Sequence, residues 1–324
     1  MGQTIGGYFE LEIGCPKHNY PHAEAFHLNS GRHALEFILR SQMQLPRSMW
    51  LPYYTCESVF EPLMRLGIEI KFYHINSRLE LAESVNLDSD EMIIVNNYFG
   101  IKDRYLQNIY SLYRDKAIFD CTQAWYMPEI PGAKQFYSPR KFFGLPDGGV
   151  ASTPIHHKLT LGQDYSADRC AHLLKRIDSD SVAGYMDFRK VSEAISGLQL
   201  LRMSKLTKRI LGSIDHDEAR QIRLRNYEEL HNGLCEINQF KAPDAEHFIE
   251  GGCPMVYPFV TSDKDLRQRL IDRKIFVATY WPGMVEWVPA FSSEIEFAQN
   301  LIPLPIDQRY GIEEMGRIIK NIKG

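Results

Sequence analysis

The sequence predicts an α/β fold in which a mostly parallel sheet is wrapped by helices and followed by a smaller C-terminal α/β domain. Short apolar runs at Met49 to Leu51, Ile68 to Tyr73, Met92 to Asn96 and Ala117 to Phe119 alternate with amphipathic stretches such as Cys56 to Arg65. That alternation is the pattern of parallel strands joined by crossover helices. Ala117 to Phe119 is apolar at successive positions, as a strand buried on both faces is. From about Asp215 the pattern changes to a long polar helix, which marks the second domain and divides the chain into 1–214 and 215–324.

In chain order, Gly31-Arg32-His33 opens a helix through Arg40. Its free N-terminal amides can bind a phosphate, with the Arg32 guanidinium as a second anchor. The four strand-like runs follow. In the C-terminal part the long helix is succeeded by a strand at Met255 to Val260, a helix at Asp263 to Lys274 and a strand at Ile275 to Tyr280. Leu301 to Arg309 and a final helix from Ile312 to Ile322 close the domain, and there is no internal repeat or low-complexity tract.

The composition excludes several classes of function. With 324 residues, 24% charged and a formal charge of -4, nothing points to nucleic acid. No run is long and apolar enough for a transmembrane helix, and the N-terminus lacks a basic region followed by an apolar core, so the cytoplasm is the expected location. Gly6 stands where a myristoylation signal needs Ser or Thr. Six cysteines at 15, 56, 121, 170, 235 and 253 show no paired spacing, which predicts free thiols.

The chemistry is concentrated between Asp120 and Lys141. Asp120 falls at the end of the predicted strand Ala117 to Phe119, where ligands of open α/β sheets gather. An acid there can hold the protonated nitrogen of a pyridine ring while the Gln123 amide reaches an oxygen substituent on the same ring. Lys141 is flanked by Phe142 and Phe143 and closed by the turn residues Gly144, Pro146, Asp147, Gly148 and Gly149. An apolar collar favours the neutral amine, which is the form that attacks an aldehyde to give a Schiff base. Ser138, three residues earlier, is placed to bond a phosphate near that lysine.

These residues resemble the fold type I pyridoxal-phosphate enzymes, and among them the DegT/StrS-like aminotransferases that act on nucleotide-linked keto-sugars. Asp120-Cys121-Thr122-Gln123-Ala124 matches that family's Asp-x-x-Gln-Ala motif, and Lys141 with Asp147-Gly148-Gly149 matches its lysine before an Asp-Gly-Gly turn. Ser30-Gly31-Arg32-His33-Ala34-Leu35 is similar to its phosphate turn, and Pro52-Tyr53-Tyr54-Thr55 to its Pro-x-x-Thr segment. Tyr98-Phe99-Gly100 matches its Tyr-Gly turn with one residue inserted, and Leu301 to Pro305 its closing Leu-Pro-Leu segment. The likeness runs from about residue 28 to 320.

The resemblance implies pyridoxal phosphate as cofactor, Lys141 as the Schiff-base lysine and Asp120 as the partner of the ring nitrogen. Gln123, Ser138, Gly31, Arg32 and His33 are the implied cofactor contacts, and Tyr54 is the ring chosen to stack on it. It further implies an amino-acid donor, glutamate by analogy, a keto acceptor on a sugar nucleotide, and an isologous homodimer. Four departures stand out. Arg32 and His33 replace small residues; Cys56 occupies the position of a stacking aromatic; Asp187, in Gly184 to Arg189, replaces an asparagine that reaches the partner subunit, leaving Arg189 to neutralise a phosphate; and the N-terminal segment is short.

Two other readings stay open beside transamination. One is a pyridoxal-phosphate enzyme with another reaction, against which Lys141 counts where sugar dehydratases carry histidine. The other is a degenerate scaffold that binds a ligand or partner without turnover. A dinucleotide-binding enzyme ranks last because no Gly-x-Gly-x-x-Gly follows a strand. Elsewhere, His18, His22 and His27 do not have metal-site spacing, and His156-His157-Lys158 reads as a solvated turn. Arg220, Arg223 and Arg225 read as solvated on the polar helix, and Tyr280-Trp281-Pro282 with Trp287 as a substrate-facing wall or a domain junction.

Overall fold

Strand β1 (Phe26–Leu28) leads into helix α1 (Gly31–Arg40), and strand β2 (Ser48–Pro52) into helix α2 (Phe60–Arg65). Strands β3 (Glu69–Tyr73) and β4 (Glu91–Asn96), helix α3 (Asp103–Tyr113), and strands β5 (Ala117–Cys121), β6 (Lys134–Tyr137) and β7 (Gly149–Ser152) complete a seven-stranded sheet in the order β1-β7-β6-β5-β4-β2-β3. Only β7 runs against the rest, pairing antiparallel with both β6 and β1. This computed structural model describes residues 8–14, 20–154, 156–290 and 292–324; Cys15 and His18 lie outside them.

Every residue of β4 and β5 is buried, and successive residues go to opposite faces. Ile93, Val95, Ala117 and Phe119 enter one core with Leu106 and Ile109 of α3. Met92, Ile94 and Ile118 enter the other with Ala34, Leu35 and Ile38 of α1 and Leu63 of α2. Two-sided burial is what the continuous apolar runs encode. It leaves the sheet's C-terminal edge as the place where polar side chains emerge.

Helices α4 (Ala171–Asp178), α5 (Tyr185–Ser196) and α6 (Lys205–Ser213) connect the sheet to the long α7 (His216–Leu234), whose N-terminus is capped by Asp215 accepting from the Glu218 N–H. Beyond it, strand β8 (Val256–Val260), helices α8 (Leu266–Asp272) and α9 (Ser293–Asn300), strand β9 (Leu301–Pro305) and helix α10 (Ile312–Lys323) follow. They form a third core with Tyr227, Tyr257, Phe259, Leu270, Leu304 and Met315. Among the described residues, the two strands pair only with each other.

The expected strand at Ile275 to Tyr280 is not formed. Its Ile275 N–H returns to the Leu270 carbonyl at the end of α8, and the Ala278 carbonyl accepts from the Arg267 guanidinium, so the backbone groups a strand would use are taken. Arg223 likewise corrects the picture of a solvated α7: it is 1% exposed and donates to the Phe142 and Met255 carbonyls and to Gln308. Arg220 donates to the Gly251 carbonyl. Among the described residues, no helix is long and apolar enough to cross a membrane, and the five described cysteines are free.

Asp103, in the first turn of α3, is buried where the sheet meets the segment before β8. Its Oδ1 accepts from Asn97, while its Oδ2 has no partner among the described residues and lies 2.5 Å from where a side chain on Gly252 would begin. Burial pushes its pKa from the ordinary 3.8 up to about 7, opposed by the Asn97 hydrogen bond. The folded protein therefore holds this proton more tightly than the unfolded chain does. Stability from this group is full below 3.8 and is lost as the pH rises to about 7. Denaturant titrations at pH 5 and pH 8 should show this loss, and Asp103→Asn should flatten it; parallel profiles for the two proteins would contradict the assignment.

Candidate active site

Asp120 is the fourth residue of β5, opposite Asn96 of β4 and Phe136 of β6. Its carboxylate accepts the Thr122 N–H at 2.8 Å. Burial drives the pKa of this acid up, and the Lys141 ammonium and the Thr122 bonds pull it back. A carboxylate so placed accepts a proton-bearing partner more readily than one in water. Asp120 is thus suited to a cationic ring nitrogen.

Gln123 is buried, and its Oε1 accepts the Phe99 N–H at 3.0 Å. That bond fixes which amide atom is which, because a backbone N–H needs an acceptor. The Nε2 is left as a buried donor with no partner among the described residues. A buried unpaired N–H is costly, so an acceptor belongs there. Sequence position alone placed this amide near the ring; the structure adds that it points a donor.

Lys141 ends a single 3-10 turn, Pro139–Lys141, and its Nζ donates to Thr122 Oγ1 at 2.9 Å. The apolar collar is not formed as expected. Lys141 itself is exposed, while Phe142 packs on Tyr126 and under the Arg223 guanidinium, and Phe143 on Trp125 and His216. The rings anchor the turn rather than enclose the amine. Thr122, which touches both Asp120 and Lys141, was not singled out by sequence, although it lies inside the Asp-x-x-Gln segment.

Helix α1 points its N-terminus at this group. A side chain on Gly31 would begin 3.3 Å from Thr122 Cγ2 and 3.6 Å from Ser138 Cβ, so Gly31, Thr122 and Ser138 share one small space. The Ser138 hydroxyl makes no bond to the described residues, and the first amides of α1 have no intrahelical acceptors. Together they can hold an anion.

Three of the expected contact residues have side-chain partners within the protein. The Arg32 guanidinium pairs with Glu61 of α2, so its charge is already compensated. His33 is buried between the Ser30 hydroxyl at 2.8 Å and the Leu198 carbonyl at 2.9 Å, both ring nitrogens being used. It braces the helix cap instead of facing a ligand, and burial lowers its pKa. Tyr54 is fully buried, with Tyr98, Trp281 and Phe297 against its ring. No face is left for stacking.

Trp281 and Trp287 are junction residues, since Trp287 Nε1 donates to the Tyr53 carbonyl and its ring meets Phe60. Asp187 is ion-paired to Lys175 at 2.6 Å, and Arg189 to Glu193 at 3.7 Å. His22 bonds Glu129 and the Trp125 carbonyl, and no group of His, Cys, Asp and Glu among the described residues is arranged to hold a metal.

No protein-family model matches the sequence, and neither does any curated protein. Solved structures do match in fold. The sugar aminotransferase CalS13 from Micromonospora echinospora superimposes with a TM-score of 0.62 over 93% of this chain and 87% of its own, at 15% identity. DesI, solved in the presence of its TDP-sugar product, does so with 0.63 over 92% and 79% at 15% identity. NtdA from Bacillus subtilis, solved with bound cofactor PMP, gives 0.62 over 92% and 72% at 12% identity. The chain has the fold of these aminotransferases.

The cradle depends on β7 touching α1. A side chain on Gly149 would begin 2.0 Å from the Ser30 carbonyl oxygen and 2.6 Å from the Gly31 nitrogen. Both are backbone atoms and cannot swing aside. Gly149→Ala should therefore cost about 1–3 kcal/mol or more of stability, read as a lowered urea midpoint. An unchanged midpoint would show that the two segments are not held this closely.

Proposed function

We propose that this protein is a pyridoxal-phosphate-dependent aminotransferase, moving an amino group from an amino acid, glutamate by resemblance, to the keto group of a nucleotide-linked sugar. The observation that carries the reading is the convergence of a buried carboxylate, an unpartnered buried amide donor and a primary amine beside a helix N-terminus. Each atom has a counterpart on the cofactor, and the unpaired Gln123 Nε2 is the group least explained without one. The fold shared with DesI and NtdA supports the sugar substrate and the cofactor respectively.

When bound, pyridoxal phosphate supplies an aldehyde for the amine and an electron-withdrawing ring. Asp120 keeps a proton on the ring nitrogen, its charge undiluted by water. Gln123 donates Nε2 to the ring oxygen, and Ser138 with the first amides of α1 holds the phosphate. Lys141 would hold the aldehyde through Nζ. Its amine, when free, would be the base that carries a proton from the donor's α-carbon. Thr122 positions that amine by its hydroxyl and Asp120 by its backbone N–H. A keto acceptor would use the same residues in reverse, which makes ping-pong kinetics the expectation.

The same reading takes residues 1–214 and 215–324 as the two domains, the cytoplasm as the location and an isologous homodimer as the working form. Exposed apolar side chains on α4, α5 and the turn between them, Ile177, Val182, Tyr185, Met186 and Phe188, support a subunit contact there.

Protein incubated with pyridoxal phosphate should develop a visible absorbance band that glutamate bleaches. Lys141→Ala should abolish the band. Asp120→Asn should retain it and slow bleaching at least about tenfold, the equivalent of one charge-assisted hydrogen bond. A band that glutamate leaves unmoved would point to another donor or reaction, and no band would support a scaffold without turnover.

A further inference from the structure

Arg223 of α7 reaches from the C-terminal core into the backbone that supports the candidate site. It is 1% exposed, and its three nitrogens are all used: Nε donates to Gln308 Oε1 at 2.9 Å, Nη1 to the Met255 carbonyl at 3.1 Å and Nη2 to the Phe142 carbonyl at 3.1 Å. The charge of Asp307 reaches it, but that acid is paired with Arg309 at 2.6 Å. A buried guanidinium bound to neutral oxygens is a costly way to join three segments. What it offers over an apolar side chain is a rigid fork that fixes their relative angles.

Two of the three segments lead to residues of the site. Phe142 follows Lys141 and ends the turn, whose own bonds are the Lys141 N–H to the Ser138 carbonyl at 3.1 Å and the Phe142 and Phe143 N–H groups to the Pro139 carbonyl. A single 3-10 turn leaves its last carbonyls without partners inside the turn. The Phe142 carbonyl accepts from Arg223 and also from Gln308 Nε2 at 3.0 Å, and the Phe142 ring lies under the guanidinium at 4.7 Å. The Met255 N–H donates to the Phe99 carbonyl at 2.7 Å, and the Phe99 N–H donates to Gln123 Oε1 at 3.0 Å. Phe99 is held at φ 59°, a conformation that a residue with a side chain keeps only where its surroundings fix it. The same guanidinium thus stands one residue from Lys141 and two backbone links from the amide whose Nε2 is unpaired among the described residues.

We propose that Arg223 is a positioning residue that sets the Lys141 amine against Thr122 and the Gln123 donor toward the cofactor ring together. The inference rests on the pyridoxal-phosphate reading and deepens it: the C-terminal part of the chain, which supplies none of the contacts proposed for the cofactor, fixes the geometry of two of them. Gln308 shares only the Phe142 half of that task.

The test titrates pyridoxal phosphate into the wild type, Arg223→Met, Gln308→Met and Thr122→Val and into each of the first two variants combined with Thr122→Val, following the Lys141-dependent absorbance. Arg223→Met should bind about 10–100-fold more weakly, and adding Thr122→Val should cost nothing further, because a loosened turn no longer presents the amine to that hydroxyl. Gln308→Met, at a half-buried position, should show a smaller loss with the same lack of additivity, and it decides the matter if Arg223→Met does not fold. Unchanged binding, or losses that multiply as those of independent sites do, overturns the proposal. If the wild type gives no band, the cofactor reading itself fails, and labelling of the cofactor-free protein with trinitrobenzenesulfonate decides. The rate at Lys141 relative to the other lysines should rise in Arg223→Met and Gln308→Met as the amine leaves Thr122; an unchanged or falling ratio overturns the proposal.

Discussion

The contact between β7 and the start of α1 is the constraint on which the candidate site depends. Ser30 bridges Gly148, the Gly148 N–H donates to the Asn29 carbonyl at 2.9 Å, and the absence of a side chain at Gly149 lets two backbones meet. This contact fixes where α1 begins, and therefore where its free amides point. The lysine turn precedes β7, so the same few residues set the distance between helix and amine. The Asp-Gly-Gly turn is tied in turn to α6 through Asp147, Ser204 and Thr207. A lysine amine and a helix N-terminus can be held in register only if the backbone between them cannot slide.

Around this frame the protein leaves polar groups incompletely satisfied on one side. Asp120 is buried beside a lysine it does not touch by any described bond, and Gln123 keeps a donor unpaired among the described residues. Away from the site, buried cations are well supplied: Arg223 has three acceptors and lies over Phe142. Arg223 and Gln308 both hold the Phe142 carbonyl, which joins the C-terminal core to the residue after Lys141. A buried donor left unpaired beside a carboxylate and an amine suits a bound acceptor more than a folding error.

The strands were legible because two-sided burial writes itself as unbroken apolar runs, as at Ala117 to Phe119, and Asp120 was legible because it ends such a run. Gln123, Ser138 and Lys141 were placed by spacing and resemblance; in the structure Ser138 lies beside the start of α1 and Lys141 bonds Thr122, which lies there too. The side-chain partners of Arg32, His33 and Tyr54 were not legible, because a motif position says nothing about Glu61, Leu198 or Trp281, partners far away in sequence. Arg223 read as a surface charge since helical spacing cannot report that carbonyls from a distant turn will bury it. Ile275 to Tyr280 has the composition of a strand, but pairing is decided by which backbone groups remain free, and an arginine side chain took one of them.

The central claim is that Lys141 is the residue that joins covalently to pyridoxal phosphate. Treating the loaded protein with borohydride, digesting it and mapping the peptides by mass spectrometry tests that claim without relying on activity. The account predicts a pyridoxyl group on the peptide carrying Lys141 and on that residue alone. Labelling of another lysine, or of none, would contradict it.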